Sequence, residues 1–235
     1  MSQPQLEVLH CDNHVLVVRK PAGLPTVPDS SGDASLFDIA REWIEAEFNK
    51  KGRAFLGVVQ RLDRPVSGAI AFARTSKAAD RLTSALREKR FDKRYWALCE
   101  APPAAGNEGM LEQWLWKDGE RNRVIVSTEG RVGAKLAQTK WRVLAQTGAC
   151  LLELEPLTGR SHQLRVALAS LGRPLLGDLK YGASAALPDR SIALHARRLQ
   201  FDHPTRDERI EVEARLPELD CWSKARSFER SGGAE

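Results

Sequence analysis

The chain has 235 residues, of which 42% are hydrophobic and 29% are charged, a composition typical of a soluble globular protein and not of a membrane-embedded or low-complexity one. Lys and Arg (36) exceed Asp and Glu (31), so the net charge is +5 and a polyanionic partner is favoured. This length predicts one domain, or one domain with a small lobe; we expect a single domain over residues 1–230, followed by a flexible tail over residues 231–235.

The cysteine spacing and the length of the apolar runs bear on two questions, whether the protein binds zinc and in which compartment it works. None of Cys11, Cys99, Cys150 and Cys221 belongs to a CxxC pair, which predicts free thiols and neither a zinc site nor a disulfide framework. No apolar run approaches the ~18 residues that a membrane span needs, and residues 1–7 show no secretory signal. We expect a cytoplasmic monomer that binds no membrane and no metal.

The predicted elements alternate between short strands and a few helices. Ser35 can cap the first helix, and Gly172 with Pro174 can end the third. Strands are expected over 6–10, 15–19, 55–59, 69–73, 91–100, 111–117, 123–127, 135–145, 150–156, 192–201 and 209–215, and helices over 35–50, 76–89, 162–171 and 217–228. This pattern predicts an α+β fold with a mixed or mostly antiparallel sheet.

A turn at residues 60–68, which reads Gln-Arg-Leu-Asp-Arg-Pro-Val-Ser-Gly, joins two apolar runs. It places the carboxylate of Asp63 between two arginines, and Pro65 and Gly68 make the chain turn sharply. Taken alone, such an aspartate is usually an ordinary turn residue that accepts hydrogen bonds from nearby backbone N–H groups. A second segment, residues 157–166, reads Leu-Thr-Gly-Arg-Ser-His-Gln-Leu-Arg-Val. With this segment present, a functional role for Asp63 is favoured over an ordinary turn residue.

Together the two segments resemble the signatures of the RluA-type pseudouridine synthases, an (H)RLD-x-x-(S/T)SG turn and a later TGR-x-HQ-(L/I)R run. Further matches lie at residues 20–25, 93–98 and 177–182, in the family's order, so the resemblance spans about residues 13–215. It implies a long mixed, mostly antiparallel sheet with flanking helices and a central active-site cleft. Because the matched motifs begin near residue 13, we expect the catalytic domain itself to bind RNA, without the S4 domain that is frequent in this family.

The resemblance implies that uridines in RNA are isomerised to pseudouridine, with Asp63 as the essential carboxylate. A carboxylate can attack the substrate covalently or stabilise an oxocarbenium-like fragment, and the sequence does not separate these routes. The reaction needs no redox step, and the chain has no GxxxxGK or GxGxxG motif, so no cofactor is expected. If residues 161–171 are helical, His162 and Arg165 project from one face, and Arg165 can approach Asp63.

The other predicted site residues come from the same motifs. Tyr95 matches the family's aromatic position, where it can stack on uracil and assist the final proton removal. Arg61 matches the residue that fills the space left by a flipped nucleotide. Four further residues of the second segment are expected to line the site or contact RNA: Arg160, His162, Gln163 and Leu164. The basic run over residues 87–94 is a candidate phosphate track, although a solvated helix end is nearly as common.

Two departures from the family pattern keep alternatives open. Gln60 replaces the usual histidine before Arg-Leu-Asp, and Pro65-Val66 replaces the commoner variable-Thr pair. Because glutamine cannot be protonated, a non-catalytic RNA-binding protein that retains the cleft is the alternative function. A hydrolase built on Ser67, His162 and Asp63 is disfavoured because the chain has no GxSxG elbow. The sequence does not choose between ribosomal and transfer RNA.

Overall fold

The computed structural model describes residues 6–232. Of the predicted tail over residues 231–235, residues 233–235 therefore lie outside the described residues. Eleven strands and four helices are present in the described part. The strands are β1 Glu7–Cys11, β2 Val15–Lys20, β3 Gly57–Val58, β4 Ser67–Ala73, β5 Asp92–Cys99, β6 Glu108–Asp118, β7 Arg123–Ser127, β8 Lys135–Thr147, β9 Ala149–Pro156, β10 Leu194–Asp202 and β11 Arg209–Glu213. The helices are α1 Leu36–Glu47, α2 Ser76–Arg87, α3 Gln163–Ser170 and α4 Ser223–Arg230.

The chain forms two compact units. The first contains the chain up to Lys93 together with Ala196–Arg215, and the second contains Arg94–His195 and the segment from Leu216 onward. The predicted single domain over residues 1–230 stays a prediction. The α+β class with a mixed, mostly antiparallel sheet is confirmed by the strand order and by the four helices. The predicted central cleft also stays a prediction.

In the first unit, β2 pairs with β1 and β4, β3 pairs with the end of β4, and β10 pairs with β11, all antiparallel. Every residue of β4 is buried, because its apolar run offers both faces to the core. Helix α2 packs its buried residues Ala78, Leu82 and Ala85 into this core, where Phe91 and Phe201 stack with ring centroids 4.6 Å apart. The turn before β4 is therefore attached to the most buried strand of the unit.

In the second unit, the strand order β5-β9-β8-β6-β7 is antiparallel throughout. One cluster of buried residues contains Trp96 and Trp222 and packs near α4. Another contains Leu115, Val124, Ala137, Val166 and Tyr181, of which Val166 belongs to α3. Helix α3 is thereby fixed at its buried face.

The predicted helix starts at Ser35 and near residue 76 are confirmed. The Ser35 hydroxyl accepts a hydrogen bond from the N–H of Asp38 at 3.2 Å, and Thr75 caps α2 in the same way through Ala78 at 3.1 Å. The four cysteines are free, as predicted, and of these Cys99 and Cys150 are buried. None of the helices that the structure describes is long and apolar enough to cross a membrane.

Two predicted elements are shorter than expected. The predicted helix over 217–228 begins only at residue 223, because the Arg226 guanidinium donates to the carbonyls of Pro217 and Leu219 that a helix would otherwise engage. The predicted strand over 55–59 is reduced to β3, which pairs with β4 at two positions only. Phe55 is 48% exposed and Val58 is 38% exposed, so this segment is not a buried strand.

Candidate active site

The turn that carries Asp63 lies immediately before β4 in the first unit. The carbonyl of Asp63 accepts a hydrogen bond from Val66 N–H at 3.0 Å, and its side chain is half-buried. Gly68 has φ +119, and a Cβ at this position would lie 2.3 Å from the carbonyl oxygen of Ala196. Because no other residue fits this close approach of two backbones, Gly68 fixes the path by which the turn enters β4.

Lys20 supports the turn from within the unit and is fully buried. Its ammonium group donates hydrogen bonds to three backbone carbonyl oxygens, those of Pro21 (2.9 Å), Leu24 (2.6 Å) and Arg64 (3.0 Å). Burial lowers the pKa of Lys20 to about 7, while the negative charge of Asp63 raises it. The ammonium group therefore ties the loop after β2 to the turn and supplies positive charge near Asp63.

Thr26 holds the backbone just before Asp63 through both polar groups of Leu62. Its hydroxyl donates to the carbonyl of Leu62 at 2.8 Å and accepts from the N–H of Leu62 at 3.2 Å. Thr26 is 4% exposed, so both hydrogen bonds are shielded from water. Such a reciprocal pair leaves the chain next to Asp63 little freedom to rotate.

Arg64 attaches the outer side of the turn to the loop over residues 23–33. Its guanidinium donates to the carbonyl of Gly23 at 2.9 Å and to the hydroxyl of Ser31 at 3.1 Å, and it forms ion pairs with Asp29 and Asp33. Arg64 is exposed, so these ion pairs contribute little to stability. Their effect is to orient the loop rather than to stabilise the unit.

The first two residues of this turn, Gln60 and Arg61, differ in environment. Arg61 is exposed, and no carboxylate of the described residues forms an ion pair with it. Gln60 is half-buried, and its side-chain Nε2 is buried without a hydrogen-bond partner among the described residues. A buried amide donor without a partner is costly, so a substrate oxygen that reached it would be favoured.

In the second unit, Arg165 is buried against Asp178. Its Nε and Nη2 atoms each donate to one carboxylate oxygen of Asp178 at 2.8 Å, and the two side chains are 6% and 1% exposed. This bidentate geometry fixes the plane of the guanidinium and leaves its Nη1 edge directed away from Asp178. Arg165 is therefore not an exposed surface cation, because α3 turns this side chain inward.

The ring of Tyr181 lies against the guanidinium of Arg165. The Arg165 guanidinium carbon is 5.0 Å from the centroid of the Tyr181 ring, and that of Arg123 is 5.3 Å away. The Tyr181 hydroxyl accepts from Val124 N–H at 2.9 Å and lies 2.6 Å from His162 Nδ1. Burial raises the pKa of Tyr181, so the phenol stays protonated at neutral pH. His162 and Arg165 are thus connected through one aromatic side chain.

Gln163 holds the turn at residues 158–160 and the start of α3. Its Oε1 accepts from the hydroxyl of Thr158 (2.7 Å) and from the N–H of Arg160 (3.0 Å), while its Nε2 donates to Gln138 O (2.8 Å) and to Thr139 Oγ1 (2.9 Å). The side chain is 4% exposed and its hydrogen-bonding groups are satisfied inside the unit. This geometry supports a positioning role for Gln163, and its predicted contact with RNA stays a prediction.

The remaining predicted site residues of the second unit differ in how far their side chains are exposed to solvent. Tyr95 is half-buried on β5, opposite Leu154 of β9. Leu164 is 6% exposed and belongs to the core side of α3. Arg160 is exposed, and its Nε donates to the carbonyl of Leu136 at 2.9 Å. Of the predicted RNA contacts in this segment, Arg160 and the half-buried His162 are the accessible ones.

The structure brings together the predicted residues of each unit separately. His162 and Arg165 share a cluster in the second unit, whereas Asp63 and Arg61 lie on the turn of the first. The predicted approach of Arg165 to Asp63 stays a prediction. Sequence reasoning missed four supporting side chains: Lys20, Thr26, Asp178 and Tyr181. Three of them lie inside matched motifs, but only the folded chain shows which partner each one contacts.

One cluster of the described residues has the residue types of a metal site. Carboxylate oxygens of Asp12 and Glu208 and a ring nitrogen of His203 lie within 4.8 Å of one another. His203 Nδ1 accepts from the N–H groups of Thr205 (3.2 Å) and Arg206 (3.0 Å), so its proton resides on Nε2 and is donated to Asp12 at 2.8 Å. Because the guanidinium of Arg206 already pairs with both carboxylates, this cluster is a hydrogen-bonded tie between two turns.

Comparison with known proteins identifies the family. The sequence profile described as RNA pseudouridylate synthase matches residues 14–170, which is more than half of the chain. The chain belongs to the RNA pseudouridylate synthase family. This match, together with the relatives described next, confirms the predicted RluA-type resemblance and the assignment as an RNA-modifying isomerase.

Several members of the RNA pseudouridylate synthase family are similar over most of this chain. The Bacillus subtilis protein named Uncharacterized RNA pseudouridine synthase YhcT is 36% identical over 219 residues, covering 91% of this chain and 69% of that protein. The Escherichia coli K12 protein named Dual-specificity RNA pseudouridine synthase RluA is 34% identical over 212 residues, covering 86% and 89%. The solved structure of Human RNA Pseudouridylate Synthase Domain Containing 4 superimposes with a TM-score of 0.75 at 25% identity, covering 95% and 92%.

Proposed function

We propose that this enzyme converts specific uridines of ribosomal or transfer RNA to pseudouridine, with Asp63 as its essential carboxylate. The observation that carries the proposal is the rigid presentation of Asp63. Lys20 and Thr26 hold the backbone on both sides of the turn, and Gly68 leads it directly into the fully buried β4. A reacting group needs such fixed geometry, because misplacement by about 1 Å costs about 100-fold in rate.

The proposed reaction breaks the bond between C1′ of the ribose and N1 of uracil, rotates the base, and forms a bond from C1′ to C5. Asp63 acts either as a nucleophile or as a carboxylate that stabilises the electron-poor fragment, and both routes remain open. The proton on C5 then leaves, and Tyr95 is the proposed participant in that step. N1 gains a proton in place of the one that C5 loses, so the overall change is an isomerisation in which atoms and electrons balance without a cofactor.

The basic residues of the two units have different proposed roles. Arg165, oriented by Asp178, contributes positive charge to the site, and its Nη1 edge is directed away from Asp178. Arg61 is exposed beside Asp63 and is the proposed residue that fills the space left by the flipped uridine. His162 and Arg160 are the proposed RNA contacts at the start of α3, and Leu164 is the proposed apolar wall.

We further propose that the protein works as a cytoplasmic monomer without a metal ion. Single-stranded or loop uridines are the favoured targets, because their bases can leave the stack at low cost. The alternative is a non-catalytic RNA-binding protein, which the replacement of the usual histidine by Gln60 suggests. The two differ in one observable property, the release of the C5 hydrogen of uridine.

The test uses bulk RNA from cells grown with 5-tritiated uridine. Native protein is expected to release tritium to water in proportion to enzyme and time, because every pseudouridine formed loses the C5 hydrogen. Mapping of pseudouridine in ribosomal and transfer RNA before and after treatment then identifies the substrate. Binding of this RNA without any tritium release would favour the non-catalytic alternative.

A further inference from the structure

Two exposed phenylalanines flank a basic loop in the first unit. The loop covers residues 48–55 and reads Phe-Asn-Lys-Lys-Gly-Arg-Ala-Phe, between α1 and β3. Phe48 is 45% exposed and Phe55 is 48% exposed. Exposed aromatic side chains beside a run of cations are the residue types on which single-stranded nucleic acids bind.

The loop is folded back against the last turn of α1. The N–H of Ala54 donates to the Glu45 carboxylate at 2.8 Å, and the N–H of Lys50 donates to the Glu45 carbonyl at 3.0 Å. Asn49 adopts the left-handed conformation with φ 47, which allows the chain to reverse. Glu45 thus holds the backbone of the loop at Lys50 and at Ala54, the residue before Phe55.

The three cations of the loop have no ion-pair partners among residues 6–232. Lys50, Lys51 and Arg53 are exposed, and no carboxylate within the described part of the chain pairs with them. The basic run over 87–94 is different, since Arg90 pairs with Glu88 and Asp202, and Arg94 pairs with Glu155. The loop therefore offers a more available set of positive charges than the phosphate track that the sequence predicts.

The guanidinium of Arg74 lies over the ring of Phe48. The guanidinium carbon of Arg74 is 4.1 Å from the ring centroid, and Arg74 is held in turn by the carbonyl of Asp12 and the thiol of Cys11. Trp43 contacts Phe48 edge-on, with ring centroids 6.3 Å apart. The ring is thus fixed in direction while nearly half of its surface stays accessible, as a stacking platform requires.

The loop leads directly to the candidate active site. Residues 55–63 connect Phe55 to Asp63 through β3, a path that spans at most about 26 Å if fully extended. A ligand bound at the loop can therefore extend to Asp63 along the same unit. Both its charge and its aromatic rings suit a single-stranded nucleic acid.

We infer that the 48–55 loop binds single-stranded RNA beside the target uridine. Lys50, Lys51 and Arg53 contact backbone phosphates, while Phe48 and Phe55 stack on bases without selecting their sequence. The inference rests on the RNA-modifying function proposed above, because that function requires RNA to approach this unit. The loop would serve to hold the flanking strand while the uridine reaches Asp63.

The first test measures affinity for a fluorescein-labelled 20-nucleotide single-stranded RNA by anisotropy between 50 and 300 mM salt. Changing Lys50, Lys51 and Arg53 to Gln together is expected to flatten the slope of log affinity against log salt by about 2, at about 0.7 per phosphate. The matched control changes three exposed cations of β6 and β8, Lys117, Lys135 and Lys140, to Gln. Equal flattening by both triple variants would show an effect of net charge alone and overturn the inference.

The second test separates stacking from charge. Changing Phe48 and Phe55 to Ala should weaken RNA binding by about 5- to 150-fold per stacked base while leaving the salt slope unchanged. The control changes Met110 and Val126, which are 47% and 49% exposed, to Ala and should leave affinity unchanged. Unchanged affinity in the phenylalanine variant would overturn the inference.

A different partner for the loop would give a different pattern. If the native protein binds vesicles of phosphatidylglycerol and phosphatidylcholine, and only the loop variants lose that binding while RNA affinity is unchanged, the loop is a membrane contact and the inference is wrong. The assay does not depend on turnover. Loop-dependent RNA binding without tritium release would support the loop and contradict the proposed function, and the reverse result would contradict the loop alone.

Discussion

Arg165 and Asp178 are joined by two parallel hydrogen bonds of 2.8 Å inside the second unit, where both side chains are almost fully buried. The sequence predicts Arg165 as a partner of Asp63 and gives no role to Asp178. A buried guanidinium with a bidentate carboxylate is held in one orientation, and its charge is partly balanced. Asp178 is therefore expected to act as a positioning residue for Arg165.

Asp178→Asn tests this relationship. The variant leaves the Arg165 charge buried without its counter-charge, which is expected to cost about 3–5 kcal/mol in the free energy of unfolding and to lower turnover at least tenfold. Urea unfolding and tritium release measure the two effects. Replacing both residues, as Arg165→Met with Asp178→Asn, should cost less stability than the single change, because no unpaired charge remains.

Glu153→Gln is the control for the buried pair. Glu153 pairs with Arg142 at 2.9 Å in the same unit, but the Arg142 side chain is 48% exposed. Because the guanidinium of this pair is open to water, its loss is expected to change stability by less than about 1 kcal/mol and to leave turnover unchanged. A cost at Glu153 equal to that at Asp178 would contradict the special role of the buried pair.

Lys20→Met should remove a pH dependence of stability. The unfolded chain holds the lysine proton up to its ordinary pKa of 10.5, whereas burial lowers the pKa in the folded protein to about 7. Between these values the unfolded state binds more protons, so the stability of the native protein rises with pH, and the cost of the buried charge is fully present below pH 7. We expect a gain of about 2 kcal/mol between pH 6.5 and 8.5.

Urea unfolding of both proteins across this window isolates Lys20, because every other titrating group is shared. The window ends below the ordinary thiol value of 9.0, since burial raises the pKa of Cys99 to about 12 and its contribution has the opposite sign. The Met variant should show a smaller rise with pH than the native protein. Parallel curves would mean that Lys20 is charged in the folded protein throughout.

Thr26→Val should impair the turn next to Asp63. Valine has the shape of threonine but cannot donate to the Leu62 carbonyl or accept from the Leu62 N–H, so two backbone groups lose their partner. We expect a loss of about 1–3 kcal/mol in stability together with reduced turnover. Thr26→Ser, which retains the hydroxyl, should restore most of the turnover; equal loss in both variants would point to packing instead.

The motifs and most elements could be predicted from the sequence because they depend on local patterns. Each signal lies within a few neighbouring residues: the apolar run of β4, the helix cap at Ser35, and the glycines and prolines that end elements. The partners of Lys20 and Arg165 could not be predicted, since they depend on which distant carbonyls or carboxylates the fold brings near. The ion pairs of the basic run at 87–94 could not be predicted either, because Arg94 pairs with Glu155, which is 61 residues away in the sequence.

Gln60→His tests the departure from the family pattern. The proposed reaction asks only for a hydrogen-bonding side chain here, and the Gln60 Nε2 is a buried donor without a described partner. We expect the native protein to be active and the histidine variant to differ by less than about threefold, with little change between pH 6 and 8 where an imidazole would titrate. Inert native protein whose activity is restored by the histidine would support the non-catalytic alternative.

Asp63→Asn tests the central claim, that one carboxylate is essential for uridine isomerisation. Asparagine preserves the size of the side chain and the hydrogen bonds of the turn but removes the negative charge, and Asp80→Asn on the exposed side of α2 is the control. Tritium release from 5-tritiated uridine in RNA should be abolished in the Asp63 variant and unchanged in the control. RNA affinity and the urea unfolding midpoint should stay close to those of the native protein in both. Tritium release at the native rate by a folded Asp63→Asn protein would contradict the account.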